Sequence, residues 1–195
     1  DFVAKNEVFI SFCKEVSLIN FENKSDLSKV NKVNMKNNIS VETNLSDIIA
    51  KMGEKISIRR SIFFDNSNGK NFYYIHGAVE EKMGKIISIV KTSKDNGVGK
   101  KIAMHVSALS PMALDEKNLS KDVLNKEIEI IKAELLNSGK PLEMIEKITK
   151  GKTDKFISEN TLVNQLWIMD PKKKVEDILK DNDIKIIDFV RYKVG

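Results

Sequence analysis

The side chains whose type and spacing could carry chemistry are few: His76, His105, Cys13 and the run Gly97-Val98-Gly99-Lys100-Lys101. A zinc site of Cys/His type cannot be assembled from two histidines and one cysteine distant from both. His105 falls at helical spacing between Ile102 and Leu109, which suits a packed or capping imidazole. The glycine–lysine run fails as a phosphate-binding loop. That motif needs glycine where Lys94 stands and Ser or Thr where Lys101 stands. Acidic pairs such as Glu80-Glu81 and Glu127-Glu129 lack the apolar flanks of an acid–base pair and read as charged surface. No G-x-S-x-G elbow is present. These residues point away from covalent catalysis, and no cofactor or metal is expected.

Composition narrows the classes further. With 195 residues the chain can bury a real core, and its 41% hydrophobic content is ordinary for a globular protein. No apolar stretch of about 20 residues exists, so no membrane helix is expected. The first residues lack a basic region followed by an apolar run, so no secretory leader is read there. Cys13 sits among Phe9, Ile10, Phe12 and Val16, where an inert buried thiol is expected. A lone thiol suits a reducing compartment, the cytoplasm by default. The net charge of +5 comes almost wholly from lysine, the arginines being Arg59, Arg60 and Arg191. Lysine scattered from end to end argues weakly for nucleic acid, whose bidentate recognition leans on arginine.

The elements that must position these residues predict an α+β fold: an antiparallel β-meander with flanking helices and a protruding antiparallel helical hairpin. Residues 1–55 are mainly helical, with Val8, Phe9, Phe12, Val16 and Ile19 near helical spacing. Residues 20–46 are polar, with brief helices or loop. Gly53 stops a short helix over 44–52, as a left-handed C-terminal glycine does. Residues 56–119 form the core meander and one helix. Ile56, Ile58 and Ser61–Phe64, then Phe72–Ile75, then Ile86–Val90 give three strands, and residues 99–109 return to helix. Residues 120–160 form the hairpin, with Leu124, Ile128, Ile131 and Leu135 on one helix and Leu142, Ile145 and Ile148 on the next. Pro141 suits the first turn of the second helix. Residues 161–195 return to the core: a short helix opened by Asp170-Pro171, then a strand from Ile184 to Tyr192 that rejoins the sheet.

Seven strings in one order carry a resemblance. They are Asp1-Phe2-Val3-Ala4-Lys5-Asn6, Met52-Gly53-Glu54-Lys55-Ile56 with Ile58-Arg59-Arg60, and Tyr74-Ile75-His76-Gly77. Ile102-Ala103-Met104-His105-Val106-Ser107-Ala108, Ser138-Gly139-Lys140-Pro141, Asp170-Pro171-Lys172-Lys173-Lys174-Val175 and Phe189-Val190-Arg191-Tyr192-Lys193-Val194-Gly195 complete the set. Together they resemble the elongation factor Ts family, the nucleotide-exchange factors of elongation factor Tu, over nearly the whole chain. The family's N-terminal helical domain, and the hairpin leading into its T-D-F-V signature, are not in this sequence. Met52 and Lys55 replace the usual isoleucine and asparagine, and residues 20–46 and 65–71 match poorly.

The resemblance implies a partner, elongation factor Tu in its GDP-bound and nucleotide-free forms, and no nucleotide bound by this chain itself. It assigns partner contacts to Asp1, Phe2, Val3, Met52, Gly53, Ile75, His76 and Gly77. Asp1 and Phe2 would form a wedge near the partner's magnesium and phosphate site. Two other readings rest on the residues alone. A basic RNA- or ribosome-binding module would use Phe72-Tyr73-Tyr74 near Lys70; a structural homodimer would pair the hairpin residues Leu124, Ile128, Ile131 and Leu135.

Overall fold

Helix boundaries follow local chemistry. In the computed structural model, which describes residues 2–24, 26–137 and 141–195, Asn6 opens the first helix, α1 (Glu7–Glu22). Its Oδ1 accepts the N–H groups of Val8 at 2.9 Å and Phe9 at 3.3 Å, satisfying donors that have no partner within the helix. Asp26 caps the single-turn helix α2 (Leu27–Val30) in the same manner. The Ser40 hydroxyl caps α3 (Val41–Met52), accepting from Thr43 N–H at 3.2 Å.

The chain divides into two compact units, one holding the residues up to Asp65 with Ala78–Met83, the other Asn66–Gly77 with Gly84–Gly195. In the first unit Phe12, Val16 and Ile19 of α1 bury against Val30, Met35, Val41 and Ile48. The polar stretch 20–46 therefore donates core residues, Val30 and Val41 being fully buried. Its Asn and Lys side chains hide an apolar minority spaced to reach inward.

The expected strand over 56–64 is a correction: those residues belong to no strand of either sheet. Ile56 and Ile58 pack against the helical core instead. Alternation with period two marks which side chains turn inward along any extended segment, and it does not by itself select a ladder partner.

The three-stranded sheet is built from β1 (Lys70–Glu80), β2 (Met83–Thr92) and β5 (Ile186–Lys193), in the order β1-β2-β5. The final strand rejoins the sheet as expected, antiparallel to β2, with Ile89 opposite Val190 and Val90 opposite Phe189. Helix α4 (Gly99–Leu109) buries Ile102, Ala103 and Val106 in the core with Val90, and the Ser88 hydroxyl donates to the Ala103 carbonyl at 2.6 Å. Leu109, expected beside Ile102 and Val106, is exposed at the helix end.

Helices α5 (Lys121–Asn137) and α6 (Leu142–Asn160) form the expected hairpin, with Ile131 and Leu135 buried against Ile145. Leu124 and Ile128 are half-buried. The turn residues Ser138, Gly139 and Lys140 lie outside the described residues. Asp170-Pro171, expected to open a helix, instead begins β4 (Asp170–Lys174), which pairs with β3 (Leu166–Trp167). Proline is tolerated at the first positions of a two-stranded ladder. Helix α7 (Val175–Asp181) starts only after Lys174, whose N–H donates to the Asp177 carboxylate at 2.9 Å. The α+β class holds. No helix among the described residues is long and apolar enough to cross a membrane.

Candidate partner-binding site

At the amino end one side chain is anchored and its neighbour is not. Val3 begins a 3-10 turn (Val3–Lys5) and is 7% exposed, whereas Phe2 is 75% exposed. The Lys5 N–H bonds the Phe2 carbonyl at 3.2 Å, so the backbone is fixed while the ring stands free of its own fold. Asp1, named with Phe2 as the wedge, lies outside the described residues. Phe2 thus presents a large apolar surface to solvent, a feature that commonly marks a contact surface only when something covers it.

Met52 closes α3 and packs against the first unit's core. Gly53 follows in the left-handed region at φ 68°, its N–H bonding the Ile49 carbonyl at 2.9 Å. A Cβ there would meet nothing within 4 Å, so backbone conformation alone demands glycine. Close approach within the chain plays no part.

In the second unit Ile75 is half-buried and His76 exposed on β1, with Gly77 at φ 61° in mid-strand. Gly84 on β2 lies where a Cβ would collide with the Ile75 side chain and come within 3.0 Å of the His76 carbonyl. A side chain at 84 would therefore push this stretch of β1 off the sheet. The His76 ring lies 6.4 Å from Tyr74. Both rings border a cavity of about 510 Å³ that is also lined by Ile86, Met104, Ile168, Met169 and Arg191. Arg191 is steadied by its Nε donating to the Ser107 carbonyl at 2.9 Å. The sequence reading named His76 but missed Ile168 and Met169. Their signal was an apolar pair at a turn, between Trp167 and Asp170-Pro171.

One wall of that cavity rests on His105, which is packed, as its spacing suggested. The ring is fully buried and stacks on Trp167 with centroids 5.2 Å apart. Its Nε2 faces Gln165 Oε1 at 3.0 Å, and its Nδ1 accepts the Ile168 N–H at 3.3 Å. Burial pushes its pKa below the usual imidazole range, with the Gln165 hydrogen bond opposing.

Two other candidates resolve as structural. A Cβ on Gly99 would fall inside the Phe72 ring, so this glycine opens space for an aromatic side chain and answers no phosphate. Cys13 is half-buried against the first unit's core, and burial pushes its thiol up to about 11, away from nucleophilic service.

Comparison with known proteins matches the whole of residues 1–195 to the family model described as Elongation factor TS. Elongation factor Ts of Psychrobacter arcticus is 36% identical over 196 residues, covering 100% of this chain and 64% of that protein. The Methylococcus capsulatus protein of the same name is 33% identical, covering 100% of this chain and 65% of its own length. The Acinetobacter baylyi protein, also named elongation factor Ts, is 35% identical with the same 100% and 65% coverage. The chain spans about 65% of the length of these curated relatives.

Proposed function

The chain belongs to the elongation factor Ts family, and on that premise we propose that it accelerates GDP release from elongation factor Tu by noncovalent docking. The observation that carries this reading is Phe2: a ring left 75% exposed on a backbone pinned by Val3. Burying one phenylalanine side chain contributes about 1.5–3 kcal/mol. When that burial is available only in the partner's nucleotide-free conformation, it shifts the partner away from the state that holds GDP. Asp1 would add negative charge near the partner's magnesium and phosphate site, where the metal helps to hold the nucleotide.

Coupling of this kind is reciprocal, so GDP must weaken docking by the factor that docking weakens GDP. A thousandfold effect needs about 4 kcal/mol. A single ring falls short, so a second contact must contribute. Ile75, His76 and Gly77, beside the cavity of the second unit, are its proposed members; Met52 and Gly53 support the wedge in the first. The test is release of fluorescent GDP from elongation factor Tu with the wild-type chain and with Phe2→Ala. The wild type is expected to speed release and the variant to lose most of that effect. Equal rates with both would remove Phe2 from the mechanism.

A further inference from the structure

Helix α6 carries a glycine that neither conformation nor packing requires. Gly53 serves its positive φ and Gly99 makes room for Phe72. Gly151 lies in the helix interior without a positive φ, and a Cβ there would meet nothing within 4 Å. Glycine inside a helix gives up stability that alanine would keep, because its backbone has more freedom to lose. The run Thr149-Lys150-Gly151-Lys152-Thr153 adds two β-branched threonines, which are also weak helix formers.

The seam between α5 and α6 is interrupted at the same level. On its outer side Ile131 and Leu135 bury against Ile145, with Ile148 beside them, in a cluster separate from the core around Leu162. One position further along α6 the inward residue is Thr149, 7% exposed, whose Oγ1 has no hydrogen-bond partner. A helical threonine can relieve this by donating to the carbonyl four residues back, as Thr161 does to Ile157 at 2.7 Å. Thr149 instead borders a groove of about 430 Å³, shared with Thr153 and with Ile128 and Lys132 of α5. An unmet hydroxyl beside an unfilled groove favours any movement that lets water or a carbonyl reach it. Across this level Lys152, on the base side of Gly151, reaches Glu134 on the outer half of α5 at 3.2 Å. Both side chains are exposed, so the link is weak and screened by salt.

We propose that Gly151 is a hinge, about which the outer half of the hairpin, residues 129–137 and 142–150, tilts on its base, with the Lys152–Glu134 pair as a strut that restrains the tilt. The sharp change of direction falls on α6; α5, which has no glycine, follows by gentle curvature over the groove. The outer half moves as a unit because its own apolar cluster holds the two helices together. It carries the exposed side chains of Ile130, Leu136, Leu142 and Met144, so the tilt sets the direction in which this apolar surface is offered. The inference does not depend on the exchange-factor reading.

The test measures the tilt in the free protein. In a Cys13→Ser background, spin labels are placed at Asn137→Cys on the outer end of α5 and at Lys172→Cys on β4, both exposed positions. Strand β4 borders the base of α6, where its Lys174 shares a cavity with Asp154 and Ser158. The spread of label-to-label distances is expected to be broad in this parent and to narrow after Gly151→Ala, whose Cβ enters open space. A spread already as narrow in the parent overturns the hinge. Thr149→Val keeps the shape and removes the unmet hydroxyl, so it should narrow the spread as well. No narrowing there overturns the part assigned to Thr149. Lys152→Ala, or about 0.5 M salt, should widen the spread, and salt should add nothing in that variant. A spread unmoved by both overturns the strut. Should the labelled parent fail to fold, hydrogen exchange in the unlabelled chain decides. Amides of residues 149–153 are expected to exchange about two- to fivefold more slowly in Gly151→Ala than in wild type, with residues 156–160 unchanged. Equal rates, or slowing spread evenly along α6, overturn the hinge.

Discussion

The amino end of the first unit and the His76 cavity of the second are built in opposite ways. Phe2 is exposed and held only through its backbone and its buried neighbour Val3. The cavity is walled by residues that are themselves held, Arg191 through its side chain by the Ser107 carbonyl and Ile168 through its backbone N–H by His105. A free ring can be buried wholly at a partner's expense, so its energy appears only on docking. A fixed wall contributes by losing little conformational freedom when docking occurs. The two regions should therefore fail differently under mutation, the first in function without stability, the second in both.

Phe2→Ala is expected to have the largest effect. It should cut acceleration of GDP release between about tenfold and a hundredfold, the equivalent of 1.5–3 kcal/mol, with the denaturation midpoint unchanged. A fall in midpoint would mean the ring is part of the core and the contrast false. Gly99→Ala probes the second unit, where a new Cβ meets the Phe72 ring at the start of α4. Overpacking there should cost about 1–3 kcal/mol in urea titration. A neutral result would show that the sheet beneath the cavity yields freely.

Gly53→Ala asks whether the first unit tolerates strain near Met52. At φ 68° alanine should cost about 1 kcal/mol in stability, and accelerated GDP release should suffer only as far as Met52 moves. The smallest effect is expected from pH. The folded-state pKa of His105 is depressed, so its contribution is intact above the unfolded value of 6.5 and is lost as pH falls below it. Stability should decline through the acid side of that value by less than about 1.4 kcal/mol per pH unit from this group. Asparagine at 105 should flatten that slope, and a slope unchanged by the substitution would assign it to other groups.

Much of the fold was legible because helix signals are local. Gly53 announced the end of α3, and Ile131 and Leu135 announced the inner face of the hairpin, since each depends on residues within a turn or two. The misreadings at 56–64 and at Asp170-Pro171 share a cause. Extended segments carry the same alternation whether they pair or merely pack, and pairing is decided by a strand elsewhere in the chain. The candidate site divides likewise: Phe2 and His76 stood out through the family strings, whereas Ile168 and Met169 gave only a weak signal, an apolar pair where a turn would sit.

The sequence by itself determined the α+β class, the capped helices, the hairpin and the family, because these depend on near neighbours and on ordered motifs. Only the tertiary structure decided that β5 completes the sheet beside β2, that Phe2 stays outside the core, and that His105 presents Nδ1 to Ile168. The last two turn on burial and on hydrogen bonds that join residues 60 and 63 positions apart, Gln165 and Ile168 to His105. A proton's place on a ring is set by whatever the completed fold brings against each nitrogen, and that arrangement exists only once the chain has closed.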